Sequence, residues 1–557
     1  MKRFNMSKKS RAPDFREPLR HNDHPRPRTR REFLAQGFMT GAATVIGPAL
    51  LGGLAPGSAR AQLATDIQNL LAPCNITTGA GTIPFICFDL AGGGNIAGSN
   101  VLVGGPNGQL DFLSVAGYNK LGLPGTMVPS SSAAGSFVDA SFGLRYHSDS
   151  AHLRGMKVRA SAKAMSGTTG TVIPALSQND TDVNPHNPMY AVYQYGARGA
   201  LLNLIGSENS ISGGNSMAPP SMVIAAAQPS TVSSPADTTG LVSTGQLSTL
   251  LPNASDVTNV MESMKRISDA KYATVQAYST AAPATAQLNA AALGTQATQS
   301  AAATPGITGC GYTKAAYIVN KYNNPGSVNP ALDPNIVGAS GIFSTAEFQG
   351  SSDYQKTASV MKLVIDGNAA AGTIEMDGFD YHTGDRATGE TRDYTLGNCI
   401  GAVLEYAARV SKPVMIYVFS DGSLASNGMI DSSAAGRGKC VWTADNQNVA
   451  STYFLVYNPN GKAVSAQSNP EMSLQIGNFN PDGSINTSGS PGGNNVFNLV
   501  QMVVLNYIAL HEATAPTTFA GLYPAATQNN TLGTGSALSS LIAYQPLAGL
   551  VNGRIVG

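Results

Sequence analysis

The strongest constraint on this chain is the run Pro413-Val-Met-Ile-Tyr-Val-Phe419, which ends at Ser420-Asp421-Gly422-Ser423. Seven consecutive apolar residues rich in β-branched and aromatic types predict a strand buried on both faces. A helical pattern precedes it over 391–410, with Leu396, Ile400, Val403, Leu404 and Ala407 on one face. Before that helix, Gly372-Thr-Ile-Glu-Met376 reads as another strand, leading into Asp377-Gly-Phe-Asp380-Tyr-His382-Thr-Gly-Asp385. Strand, helix, strand is the unit from which parallel sheets are built. Two more runs read as buried strands. Ile83-Pro-Phe-Ile-Cys-Phe-Asp-Leu90 is closed by Ala91-Gly-Gly-Gly94-Asn95, and Tyr453-Phe-Leu-Val-Tyr457 follows Trp442-Thr-Ala-Asp445-Asn446. The expected class is therefore α/β with a mostly parallel central sheet. Residues 496–510 read as a buried helix, 205–240 as loop and the last 40 residues as loop-like. Residues 109–190 alternate short apolar pieces with turns. The stretch of about 240–305 reads as a helical insertion, a cap on a single domain spanning 62–557.

The N-terminus carries a different message. Thr29-Arg30-Arg31-Glu32-Phe33-Leu34 is followed by an uncharged, Gly- and Ala-rich stretch, Gly37 to Leu54, and by Ala59-Arg60-Ala61. This order predicts a twin-arginine signal peptide over residues 1–61 and a periplasmic or otherwise exported mature chain of about 496 residues. Pro48 and the glycines leave the apolar stretch short of the ~20 residues of a membrane span, and no later segment reaches that length. Residues 1–61 hold 12 of the 34 Lys and Arg but only 4 of the 33 Asp and Glu, so the mature chain carries a net charge of −7. A mildly acidic surface argues against nucleic acid as a partner, because such binding is driven by basic residues on phosphate. Export permits disulfides. By proximity along the chain, Cys74–Cys87 and Cys399–Cys440 are the expected pairs, with one of the five cysteines left over.

Polar residues cluster beside the predicted strands: Asn95, Asp380 with His382, Asp421, and Asp445 with Asn446. Strand ends at one edge of a parallel sheet converge in space. Carboxylate and imidazole groups gathered there have the donor chemistry of a divalent metal site. A further cluster, Tyr146-His-Ser148-Asp-Ser150, precedes the helical residues from Ala151. Its serines read first as helix N-caps.

Several of these segments together resemble a family. Asp377-Gly-Phe-Asp-Tyr-His382-Thr is similar to the G-[FW]-D-T-H motif of a widespread Tat-exported family of uncharacterised proteins, distantly related to sulfatases and alkaline phosphatases. Val418-Phe-Ser-Asp421-Gly-Ser-Leu-Ala-Ser-Asn427 resembles that family's S-E-F-G-R-T segment, and Phe88-Asp-Leu-Ala-Gly-Gly-Gly-Asn95 its L-x-G-G-x-D-G strand end. Asp445-Asn446 stands where the family carries T-D-H-G, and His186 lies in the region of its S-H-F. The resemblance implies an alkaline-phosphatase-like layered α/β fold with metal ligands at the strand ends. On that footing Asp380, His382, Asp421, Asp445 and Asn95 are candidate ligands for zinc, calcium or magnesium. Ser148 and Ser150 are candidate nucleophiles at a helix N-terminus, where the helix dipole favours an alkoxide. This sequence also departs from the pattern. Asn95 replaces an aspartate, Asn446 a histidine, and Pro185 the serine of S-H-F. A neutral amide is a weaker ligand for a dication. Three expectations follow: a non-catalytic relative with a degenerate metal site that binds an envelope protein or a glycan; a metal-dependent hydrolase of phosphate or sulfate esters; or a surface protein that makes contacts through Gly/Ser/Asn loops.

Overall fold

In a computed structural model the described residues are 63–555, except 75, 77–78, 131–136, 178–183, 244–246, 252, 282–309, 323 and 525–529. The expected signal peptide lies outside them, as does much of the expected insertion. Eleven strands form the frame: β1 (Phe85–Leu90), β2 (Val138–Phe142), β3 (Leu144–His147), β4 (Thr168–Pro174), β5 (Leu202–Gly206), β6 (Ser230–Thr231), β7 (Ala369–Met376), β8 (Val414–Ser420), β9 (Leu424–Ile430), β10 (Cys440–Asp445) and β11 (Ser451–Tyr457). Seven of them make one sheet in the order β4-β11-β8-β1-β7-β5-β6. Strand β1 pairs in parallel with β7 and β8, and β5 pairs in parallel with β7 and β6. Strand β11 runs antiparallel to both β8 and β4 and is the one reversed member of the sheet. The fold is thus α/β, layered around a mostly parallel sheet.

Alternation along the strands explains the layers. Ile86, Phe88 and Leu90 of β1 join Ile416 and Val418 of β8 in one core, while Phe85 and Cys87 join Met415, Tyr417 and Phe419 in the other. Side chains of successive strand residues point to opposite faces, so a continuous apolar run demands helices on both. They are there. Helix α1 (Ala151–Arg159), α3 (Ser352–Ile365) and α4 (Arg386–Arg409) cover the first face, and α5 (Val496–Ala509) covers the second. Helices α1 and α4 cross very closely: a Cβ on Gly155 would lie 2.3 Å from the Tyr394 carbonyl, and one on Gly397 would lie 2.2 Å from that of His152. Only glycine permits backbones to approach so near.

Some sequence expectations are corrected. The 205–240 stretch contains the edge strand β6 and a helix at Pro235–Val242, started by a capping box of Ser234 and Asp237. The C-terminal stretch contains a short helix at Ser536–Ser539 and a small hairpin of Leu550–Val551 with Arg554–Ile555. Helix α2 (Ala254–Ala281) lies in the expected insertion. Its Met261 packs with Leu63, Ile67, Ala316 and Tyr317 in a small core of its own. No helix among the described residues is long and apolar enough to cross a membrane.

The expected disulfide pairs are not formed. Cys74 bonds Cys310, across 236 residues of sequence, while Cys87, Cys399 and Cys440 are free and buried. Cys87 faces a core from β1, Cys399 lies inside α4, and Cys440 opens β10, so regular structure holds each away from its expected partner. Alkylation without reductant should therefore label none of the five cysteines in the folded protein and three after denaturation. Mass spectrometry of the labelled peptides checks this.

Candidate functional site

The C-terminal end of β1 meets the ends of β7 and β8 at one edge of the sheet. Gly92 has φ +107°, and a Cβ there would come within 2.5 Å of the Asp380 amide nitrogen. The triple glycine thus lets the loop after β1 lie directly on the loop after β7. The Phe379 N–H donates to the Ala91 carbonyl (3.2 Å) and the Gly92 N–H to Asp421 Oδ1 (3.0 Å). Ser420 Oγ accepts from the Gly94 N–H at 2.9 Å.

Above this floor Asp380, His382 and Asp445 come together. Nδ1 of His382 touches Asp380 Oδ1 and stands 3.4 Å from Asp445 Oδ1. Asp445 ends β10, just before the reversed strand β11, and so arrives at the same edge as residues that follow β1, β7 and β8. The carboxylates are half exposed, at 55% and 46%, and the imidazole less so, at 28%. His382 Nδ1 itself is shielded and has no aligned hydrogen-bond partner. An unsatisfied imidazole nitrogen flanked by two carboxylate oxygens has the donor chemistry of a divalent cation site. As they stand the three side chains form an ion-pair cluster. Among the described residues, no three His, Cys, Asp or Glu side chains are arranged as a metal-holding group.

The other candidate residues are engaged elsewhere. Asp421 is fully buried, and its second oxygen accepts from Asn215 Nδ2 at 2.7 Å. Asn95 turns inward: its Oδ1 accepts from Ser99 Oγ (2.7 Å) and its Nδ2 donates to the Ala97 carbonyl (3.1 Å). Asn446 Oδ1 accepts from the Asn448 N–H at 3.0 Å, closing its own turn. His186 is buried with Nε2 against the Leu176 carbonyl (3.2 Å), and burial pushes its pKa down to about 4. Ser150 caps α1, accepting from the Leu153 N–H at 3.1 Å and donating to Asn100 Oδ1 at 3.0 Å. Ser148 is exposed on the turn before α1, with its N–H on the Phe137 carbonyl. Neither serine touches Asp380, His382 or Asp445.

Two buried acids that the sequence reading did not single out organise this edge. Asp393, inside α4, accepts from Tyr381 OH (2.9 Å) and Asn100 Nδ2 (2.7 Å), with His152 Nε2 3.6 Å away. Tyr381 OH also accepts from the Asn95 N–H, and His152 Nδ1 meets Tyr453 OH at 3.2 Å. Asp89 of β1 accepts from both the N–H and the hydroxyl of Ser216, at 2.7 and 2.9 Å. Neighbouring Gly214 packs so tightly that a Cβ would lie 2.4 Å from Asp89 Oδ2. Asp89 and Asp421 together pin the 207–217 loop against the sheet. Burial raises the Asp89 pKa to about 7, and the Ser216 bonds oppose that rise. The one sequence signal for either acid was a charge at a position the surrounding pattern makes apolar, as in Phe88-Asp89-Leu90.

No protein-family model, no curated protein and no solved structure matches the chain.

The two kinds of acid should respond differently to mutation. Asp393→Ala strands Tyr381, Asn100 and His152 and should cost about 3 kcal/mol of unfolding free energy. Asp380→Ala, at an exposed contact, should cost under about 1 kcal/mol. Denaturant melts compare the two. For Asp89 the folded pKa lies above the unfolded value of about 3.9, so the folded state holds the extra proton and stability falls as pH rises from about 4 to about 7. Asp89→Asn lacks that loss. Its stability relative to the wild type should climb over this window, by at most about 4 kcal/mol. The difference curve is the measure, because Glu375 (raised to about 8) and the buried His147, His186 and His511 (lowered to about 4) titrate in both proteins.

Proposed function

We propose that this chain is an exported protein with a degenerate metal-type site, which binds an envelope protein or glycan and does not hydrolyse esters. The observation that carries this reading is the division of the candidate residues. Asp380, His382 and Asp445 remain together and open to solvent. Asn95, Asn446 and Asp421 spend their polar atoms on the fold, and Ser148 and Ser150 stand apart from the cluster. A hydrolase of the sulfatase or phosphatase type needs a nucleophile beside its ligands, and neither candidate hydroxyl is placed there. The Cys74–Cys310 bond supports the exported part of the reading, since such bonds persist in oxidising compartments.

The second reading, a metal-dependent ester hydrolase, is favoured by the His382 Nδ1 that lies against two carboxylates without an aligned hydrogen bond. A bound ion would polarise an ester oxygen there. In that case Asp380, His382 and Asp445 are the residues that hold it.

One set of measurements separates the readings. The mature protein and an Asp380→Ala/His382→Ala variant are titrated with zinc, calcium and magnesium, and both are assayed on aryl phosphate and aryl sulfate. The binding reading expects a divalent ion to bind the wild type, the variant to bind it at least about tenfold more weakly, and neither to turn over ester. Turnover that disappears in the variant would establish the hydrolase reading instead. Neither metal binding nor turnover would leave the loop-mediated surface protein as the working description.

A further inference from the structure

The opposite edge of the sheet holds a cavity of about 530 Å³. It lies where β5 and β6 begin, at the N-terminal edge of the sheet, away from the Asp380 cluster. Its walls include Tyr193, Arg198, Lys314, Ile76, Gln228 and Ser230. Among the described residues, two cations line it and no carboxylate does. This is unusual in a chain whose mature part carries a net charge of −7.

Arg198 is fixed in place. Its guanidinium lies 3.5 Å from the centroid of the Tyr193 ring, and its Nη1 donates to the carbonyls of Tyr193 and Ala197. One arm of the fork is thereby occupied. Among the described residues neither Arg198 nor Lys314 has a carboxylate partner. Burial lowers the Arg198 pKa from its ordinary value, the cost of desolvating a charge with no counter-ion. A planar guanidinium held by ring stacking and main-chain bonds is pre-organised for an oxyanion. Lys314 adds a second positive charge from another wall.

The disulfide joins those walls. Ile76 lies two residues beyond Cys74, and Lys314 four residues, about one helical turn, beyond Cys310. The Cys74–Cys310 bond therefore ties the segment carrying Ile76 to the helical residues carrying Lys314. The volume falls in the range of small-molecule sites.

We propose that this cavity binds a small organic anion through a carboxylate or phosphate group, with Arg198 and Lys314 as the recognising cations. The site is independent of the Asp380 cluster and of the function proposed for it. The test uses the mature, oxidised protein, titrated calorimetrically at low ionic strength with inorganic phosphate and, separately, with succinate. Saturable binding of at least one probe at one site per chain is expected. Arg198→Gln should weaken it about tenfold, the worth of a charged hydrogen bond, and Lys314→Gln about threefold. Asp380→Ala/His382→Ala should leave it unchanged. Lys314 is exposed, so its variants keep the test valid even if Arg198→Gln disturbs folding; Lys314→Glu should weaken binding further than Lys314→Gln. Absence of saturable heat up to about 10 mM with both probes would overturn the proposal, as would binding that none of these cation substitutions alters.

Discussion

Asp393 is almost completely buried in the middle of α4, and a carboxylate there is stable only if its oxygens are met by donors. Those donors come from three other parts of the chain: Tyr381 from the loop after β7, Asn100 from the loop after β1, and His152 from α1, at a longer distance. The Asn95 N–H reaches Tyr381, Ser150 reaches Asn100, and Tyr453 of β11 reaches His152. One buried charge thereby holds together both strand-end loops, the N-terminus of α1 and the reversed strand of the sheet. The exposed Asp380 cluster stands on a floor whose position depends on this network.

This dependence explains what the two kinds of polar residue do at the edge. Asn95 and Ser150 are working parts of the buried network, so their side chains face into the protein and leave nothing for a ligand. Asp421 is spent in a similar way, on the Gly92 N–H and Asn215. Asp380, His382 and Asp445 instead contact one another at the partly exposed surface of the edge. A polar residue after a strand can serve either the fold or a ligand, and burial decides which.

Strands β1, β8 and β11 and helices α4 and α5 were legible because each carries a long apolar run or a clear 3.6-residue period. Strand β4, Thr-Thr-Gly-Thr-Val-Ile-Pro, was not. Its threonines look like turn residues, yet they are buried because the Thr168 and Thr171 hydroxyls donate to the carbonyls of Ala164 and Ser473. A partner as distant as Ser473 leaves no trace in local sequence. The meeting of Asp380, His382 and Asp445 was legible from strand ends. The inward turn of Asn95 was not, since it depends on Ser99 and on the glycine turn. The cysteine pairing failed for a related reason: nearness along the chain says little once Cys87, Cys399 and Cys440 are each locked into a different element.

The Cys74–Cys310 bond also changes what the chain is as a connected object. It closes the polypeptide between those residues into a covalent ring that contains β1 to β6, α1 and α2. A single protease cut anywhere in that ring opens it without releasing a fragment, so the two pieces still migrate as one molecule until the bond is reduced. A nick in the ring is therefore a local injury, whereas one between Cys310 and Ala369 severs the covalent tie between β7, β8 and β11 and the rest.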